Sequence, residues 1–143
     1  MRFMMLVIPK GYETAPADAV KTLDTKRMEQ MMKYNESLQK AGVLLALDGL
    51  HPPSTGARVR YKGGKATAVD GPFSEAKEVV GGYWMIQVKS REEAIEWAKR
   101  APMSDDEIIE VRRVQEMEDY SEEGQKVAEK FPEIKKKAAK ARK

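Results

Sequence analysis

One histidine, His51, stands in a 143-residue chain that has no cysteine. Histidine is the side-chain type whose ordinary pKa suits proton transfer near neutrality. With Asp70, or Asp48, as an orienting carboxylate, His51 becomes a candidate general base, and His51 and Asp70 form the candidate catalytic pair. Arg58 and Arg60 lie two residues apart, which on a strand puts both on one face. There their guanidinium forks suit a carboxylate or a phosphate. Glu75 and Lys77 follow Asp70 closely, so a carboxylate and an ammonium can flank the mouth of a pocket for a polar ligand. The candidate ligand-binding residues are therefore Asp48, Arg58, Arg60, Glu75 and Lys77. Each of these residues also has a plainer use. His51 precedes Pro52-Pro53 in a turn, Asp70 opens a turn in which it accepts backbone N–H bonds, and the arginines form the wet face of a hairpin.

Other chemistries lack their residues. The chain has no Gly-x-Gly-x-x-Gly or Walker loop, no His-Glu-x-x-His, no Gly-x-Ser-x-Gly and no EF-hand pattern, so no cofactor is implied. One histidine and no cysteine make a metal site improbable. Gly63-Gly64-Lys65 is followed by Ala66 where a phosphate loop needs Ser or Thr. The absence of cysteine fits a reducing compartment. The apolar run at residues 1–9 is too short for a signal peptide and leads into Lys10-Gly11, and no later stretch reaches the roughly 20 apolar residues of a membrane span. Cytoplasm is the expected location.

The net charge of +3 tempts one toward nucleic acid. Six of the basic residues sit in 135–143 with no acid among them, which leaves the rest of the chain at −3 against that +3 total. A nucleic-acid-binding domain concentrates Lys and Arg on a folded face, and nothing here does so. Nucleic acid is not an expected partner. The basic run reads as a solvated end that can at most touch an acidic partner.

The elements that must position these residues are legible in outline. Residues 2–8 read as a buried strand. The segment from about Pro16 to Gly42 carries Val20, Leu23, Met28, Met31, Met32, Leu38 and Ala41 on one helical face; Asp24 or Thr25 alternatively caps a shorter helix behind a looser lead-in at 14–23. Val43–Leu47 is a short strand, and Arg58–Tyr61 and Ala66–Val69 pair across a Lys62-Gly63-Gly64-Lys65 hairpin turn. Val79–Lys89 reads as the central strand, with a close backbone approach at Gly81-Gly82. Ser90 and Glu93 form a capping box for a helix that stops before Pro102, and Ile108–Val114 is the last core strand. The expected fold is α+β: a ferredoxin-like antiparallel sheet with two helices on one face and an inserted β-hairpin. Residues 1–118 form that domain, and 119–143 are a charged, helix-prone C-terminal extension.

Along the central strand Tyr83, Met85 and Gln87 alternate with Trp84, Ile86 and Val88, so neither face is strongly polar. With both helices on one face, the other is too apolar to meet water and calls for a second copy packed sheet to sheet. A homodimer is the expected state.

Asp70-Gly71-Pro72-Phe73-Ser74-Glu75-Ala76-Lys77-Glu78, followed by Gly81-Gly82-Tyr83-Trp84, resembles the DGPF group of YCII-related proteins. Asp48-Gly49-Leu50-His51-Pro52, Ala57-Arg58-Val59-Arg60 and Glu93-Ala94-Ile95-Glu96-Trp97-Ala98 widen the resemblance to roughly residues 1–118. It implies a dimeric α+β barrel made of two ferredoxin-like sheets. It implies little chemistry, because the group is largely uncharacterised. One branch of the wider group pairs a histidine on or near the first helix with an aspartate, to move protons on chlorinated aromatic substrates; here the histidine follows the second strand. Three readings remain. The first is a homodimer that binds a small polar or aromatic ligand in a cleft between sheet and helices. The second is a small lyase or isomerase using His51 and Asp70. The third is an accessory protein in transcription regulation, which rests on the names of relatives and on the basic tail.

Overall fold

Phe3 and Met5 alternate with Arg2, Met4 and Leu6, and that period of two makes the first strand, β1 (Arg2–Ile8), buried on one side only. The structure, a computed structural model, describes residues 1–134 and Lys136; the rest of the basic run at 135–143 lies outside the described residues. After β1 the chain makes two short 3-10 turns, Tyr12–Thr14 and Ala19–Thr22, and then enters α1 (Thr25–Lys40). The Asp24 carboxylate caps α1 by accepting from the Lys26 amide at 3.0 Å, so the shorter of the two helices expected from sequence is the one formed. Val20 and Leu23 lie outside it and are exposed.

β2 (Leu44–Gly49) follows, then β3 (Ala57–Lys62) and β4 (Lys65–Asp70), then β5 (Gly82–Gln87). α2 (Arg91–Lys99) and β6 (Ile108–Arg113) complete the domain. Four strands form one antiparallel sheet in the order β2-β5-β1-β6. Both helices feed one face of it: Tyr34 and Leu38 from α1 and Ala94 from α2 join Phe3, Met5, Trp84, Ile86 and Val88 in a single core. This is the ferredoxin-like α+β arrangement. Ser90 caps α2 by accepting from the Glu93 amide at 3.1 Å. The Glu93 carboxylate reaches back one residue beyond the usual capping box and accepts from Lys89 N–H at 3.0 Å.

No helix among the described residues packs on the other face of the sheet. Met4 and Leu6 of β1 face Met85 and Tyr83 across β5 and Arg112 and Glu110 across β6. Arg2 bonds Glu116 through two guanidinium nitrogens, at 2.6 and 3.0 Å, and touches the Met85 sulfur at 3.7 Å.

β3 and β4 form a separate two-stranded sheet. Gly63 and Gly64 turn it with φ of 56° and 76°, the two consecutive left-handed residues a tight hairpin requires. α3 (Glu122–Glu129), capped by Ser121, comes last and buries none of its residues. No helix among the described residues is long and apolar enough to cross a membrane.

Candidate functional site

Met31 and Asn35 are one turn apart on α1 and face the sheet where Trp84 rises from β5. The Trp84 indole N–H donates to Asn35 Oδ1 at 2.7 Å. Its ring meets Tyr34 edge to face, with centroids 5.3 Å apart and planes at 83°. Tyr34 in turn donates its hydroxyl to the Trp97 carbonyl at 2.7 Å, and its burial pushes that hydroxyl's pKa up to about 12. These bonds fix the wall of a cleft of about 210 Å³ between α1 and the sheet. Val7, Met31, Leu47 and Trp84 supply its apolar surface, and Gly81 and Gly82 leave bare backbone against it. Asn35 is its polar side chain on the helix side; Asp48 and Tyr83 also border it, and strand alternation puts their side chains on the other face of the sheet. The Tyr83 hydroxyl donates to Asp48 Oδ2 at 2.9 Å, and that bond to a carboxylate raises the Tyr83 pKa above its ordinary value. Among the described residues the Asn35 amide nitrogen donates only to the Met32 sulfur at 3.7 Å, a weak acceptor, so this N–H₂ has donor capacity to spare.

A second cleft, of about 500 Å³, opens beside the hairpin root. Leu50, Pro52 and Val79 line it together with His51, Arg58, Phe73 and Glu78. Its loop is held from several sides. Leu50 N–H donates to Gly81 O at 2.9 Å, the Tyr12 hydroxyl to Leu50 O at 2.6 Å and the Ser54 hydroxyl to Ala15 O at 3.1 Å, while Pro52 is fully buried. Gly71 fastens the hairpin's far end to the same loop by donating to Gly56 O at 2.9 Å. A Cβ at position 71 would lie 1.7 Å from the Pro53 carbonyl oxygen, so only glycine fits there. The Gly71–Pro72 bond is cis. Arg58 stacks on the Phe73 ring, 4.2 Å from its centroid.

The sequence candidates are therefore divided. His51 and Arg58 line the second cleft. Asp48 lines the first, bonded to Tyr83. Arg60 pairs with Glu75 at 3.7 Å on the exposed hairpin. Asp70 and Lys77 are exposed and have no side-chain partner among the described residues, and no hydrogen bond there joins His51 to Asp48 or Asp70. The Asp70 turn is held by the Gly71 amide, whereas the sequence suggested the Asp70 carboxylate as acceptor. Asn35, Phe73 and Glu78 are cleft residues that the sequence reading passed over. The signal for Asn35 was present: an amide one turn from Met31 on an otherwise apolar helix face. No three His, Cys, Asp or Glu side chains among the described residues come together as a metal site needs.

A four-stranded antiparallel sheet backed by two helices, with an inserted hairpin and glycine-locked loops, defines a class of small α+β domains. Within it, the YCII-related domain family matches residues 1–118, and the chain belongs to that family. An uncharacterized protein of Rhizobium meliloti (strain 1021) is 30% identical to it over 76 residues, which is 53% of this chain. The chain spans 61% of that relative's length.

Proposed function

We propose that the protein is a homodimeric member of the DGPF subgroup that binds a small aromatic or mixed polar–aromatic ligand in the cleft between α1 and the sheet. Asp70–Phe73 with its flanking residues supports the subgroup. One observation carries the ligand reading: an apolar cleft with a tryptophan wall has, at its edge, an amide with spare donors. Sites for small ligands have this composition, a mostly apolar lining with few placed polar groups. Titration with phenol and with benzoate, read by Trp84 emission in a Trp97→Phe background, tests it. Saturable quenching is expected, and Met31→Phe, which narrows the cleft without adding an emitter, weakens it severalfold. Quenching unchanged by Met31→Phe rules the cleft out.

The dimer reading rests on the sheet face where Met4, Leu6 and Met85 present apolar surface with no helix of the described residues above it. Such a face suits a two-fold partner of the same kind.

A second reading has one observation in its favour: His51 shares a cleft with Arg58. It makes the protein a proton-transferring lyase or isomerase on an anionic substrate held by Arg58. Metabolite profiling of a cell extract incubated with the protein or with its His51→Gln variant tests it. A compound consumed only by the unsubstituted protein supports the reading.

A further inference from the structure

Trp84 settles which way Asn35 presents its amide. An indole nitrogen carries a donor and no acceptor, so the Asn35 atom that meets it at 2.7 Å is the oxygen. Asn35 therefore keeps only N–H groups for anything else, and their contact with the Met32 sulfur at 3.7 Å is weak. A ligand that lies against Asn35 must bring the acceptor.

The rest of the cleft narrows the class further. Gly81 donates its amide to Val7 O at 2.8 Å, and its carbonyl accepts from Leu50 N–H at 2.9 Å, so the Gly81 backbone is committed to the strands and loop around it. No cation stands among the described residues that line the cleft. Asp48, the charged residue on its border, is an acid whose side chain lies on the far face of the sheet. A carboxylate or phosphate entering here leaves water and meets no counter-charge, which burial penalises heavily. An uncharged acceptor escapes that cost. Size points the same way. An apolar cavity of roughly 150 Å³ holds benzene, and the cleft's volume of about 210 Å³ leaves room for one ring with a small substituent.

We propose that Asn35 makes this cleft selective for an uncharged aromatic carbonyl compound (an aldehyde, ketone or amide), whose oxygen accepts from the Asn35 N–H₂ while its ring lies against Met31 and Trp84. The inference rests on the ligand cleft proposed above and names its ligand class.

Asn35→Asp tests it, because a carboxylate still accepts from the Trp84 N–H but donates nothing. Calorimetry on the full-length protein compares acetophenone with benzoate and with α-methylstyrene, which has the shape of acetophenone without its oxygen. In the unsubstituted protein acetophenone should bind severalfold tighter than benzoate. Asn35→Asp should weaken acetophenone about tenfold, the scale of one hydrogen bond, and leave α-methylstyrene within about twofold. The same variant should strengthen benzylammonium severalfold, an exchange of preference that a merely structural Asn35 would not produce. Should the variant unfold, the infrared carbonyl band of acetophenone bound to the unsubstituted protein decides. A band below its position in hexane supports the hydrogen bond, and a band at the hexane position overturns it. Acetophenone that binds no better than benzoate, or that Asn35→Asp leaves unchanged, overturns the ligand class; if Met31→Phe still weakens binding severalfold, the cleft itself stands. When Met31→Phe weakens none of these ligands, the cleft reading falls and this inference with it.

Discussion

Asn35 shows what a single side chain does here. Its Oδ1 accepts from the Trp84 indole N–H, and Trp84 is buried in the core. Asn35→Leu keeps a similar volume but leaves that donor unpaired, so it should cost about 1–3 kcal/mol in urea unfolding. Tyr34 offers a test by pH. Its burial favours the neutral phenol, so the fold's preference is fully present below the ordinary tyrosine pKa near 10 and is lost as pH rises toward about 12. An ultraviolet titration should show one tyrosine ionising near pH 12, and Tyr34→Phe should remove that late step. That Tyr34, Tyr83 and Trp84 carry polar tips in need of partners is legible from residue type alone. The partners themselves are not: Asn35 and Trp84 are 49 residues apart, and only the packing of α1 on β5 brings them together.

At the scale of elements, local chemistry spoke clearly. The Gly63-Gly64 turn and the Asp24 and Ser90 caps all stand where residue type placed them, because each depends on neighbours a few positions away. Ser90→Ala should destabilise the domain by about 1 kcal/mol, measured by chemical denaturation, since it frees the Glu93 amide. Less legible was which sheet a strand joins. Alternation in Ala57–Lys62 tells which side chains share a face, but not that the hairpin stands apart from the four-stranded sheet. The candidate site suffered from the same limit. His51 and Arg58 share a cleft because Gly71 fastens one loop to the other, a contact between residues far apart in sequence. Asp70 sits one residue from that fastening point and still faces outward.

At the scale of the whole molecule, the open sheet face and the region after β6 make separable demands. Leu6→Asp puts a charge at the centre of the open face and touches none of the buried core, so sedimentation should show monomers with native far-UV circular dichroism. Truncation after Glu118 leaves every buried core residue and the Arg2–Glu116 pair in place. It should therefore unfold cooperatively in chemical denaturation.

The crowding of Gly71 against Pro53 has a consequence for inheritance. A methyl group cannot enter at position 71 while the Pro53 carbonyl stays where it is, so the loop of residues 50–56 and the Asp70–Phe73 loop form one unit. Transplanting either loop alone into a relative with different loops should fail to rebuild the His51–Arg58 cleft, and moving the two together should carry it across.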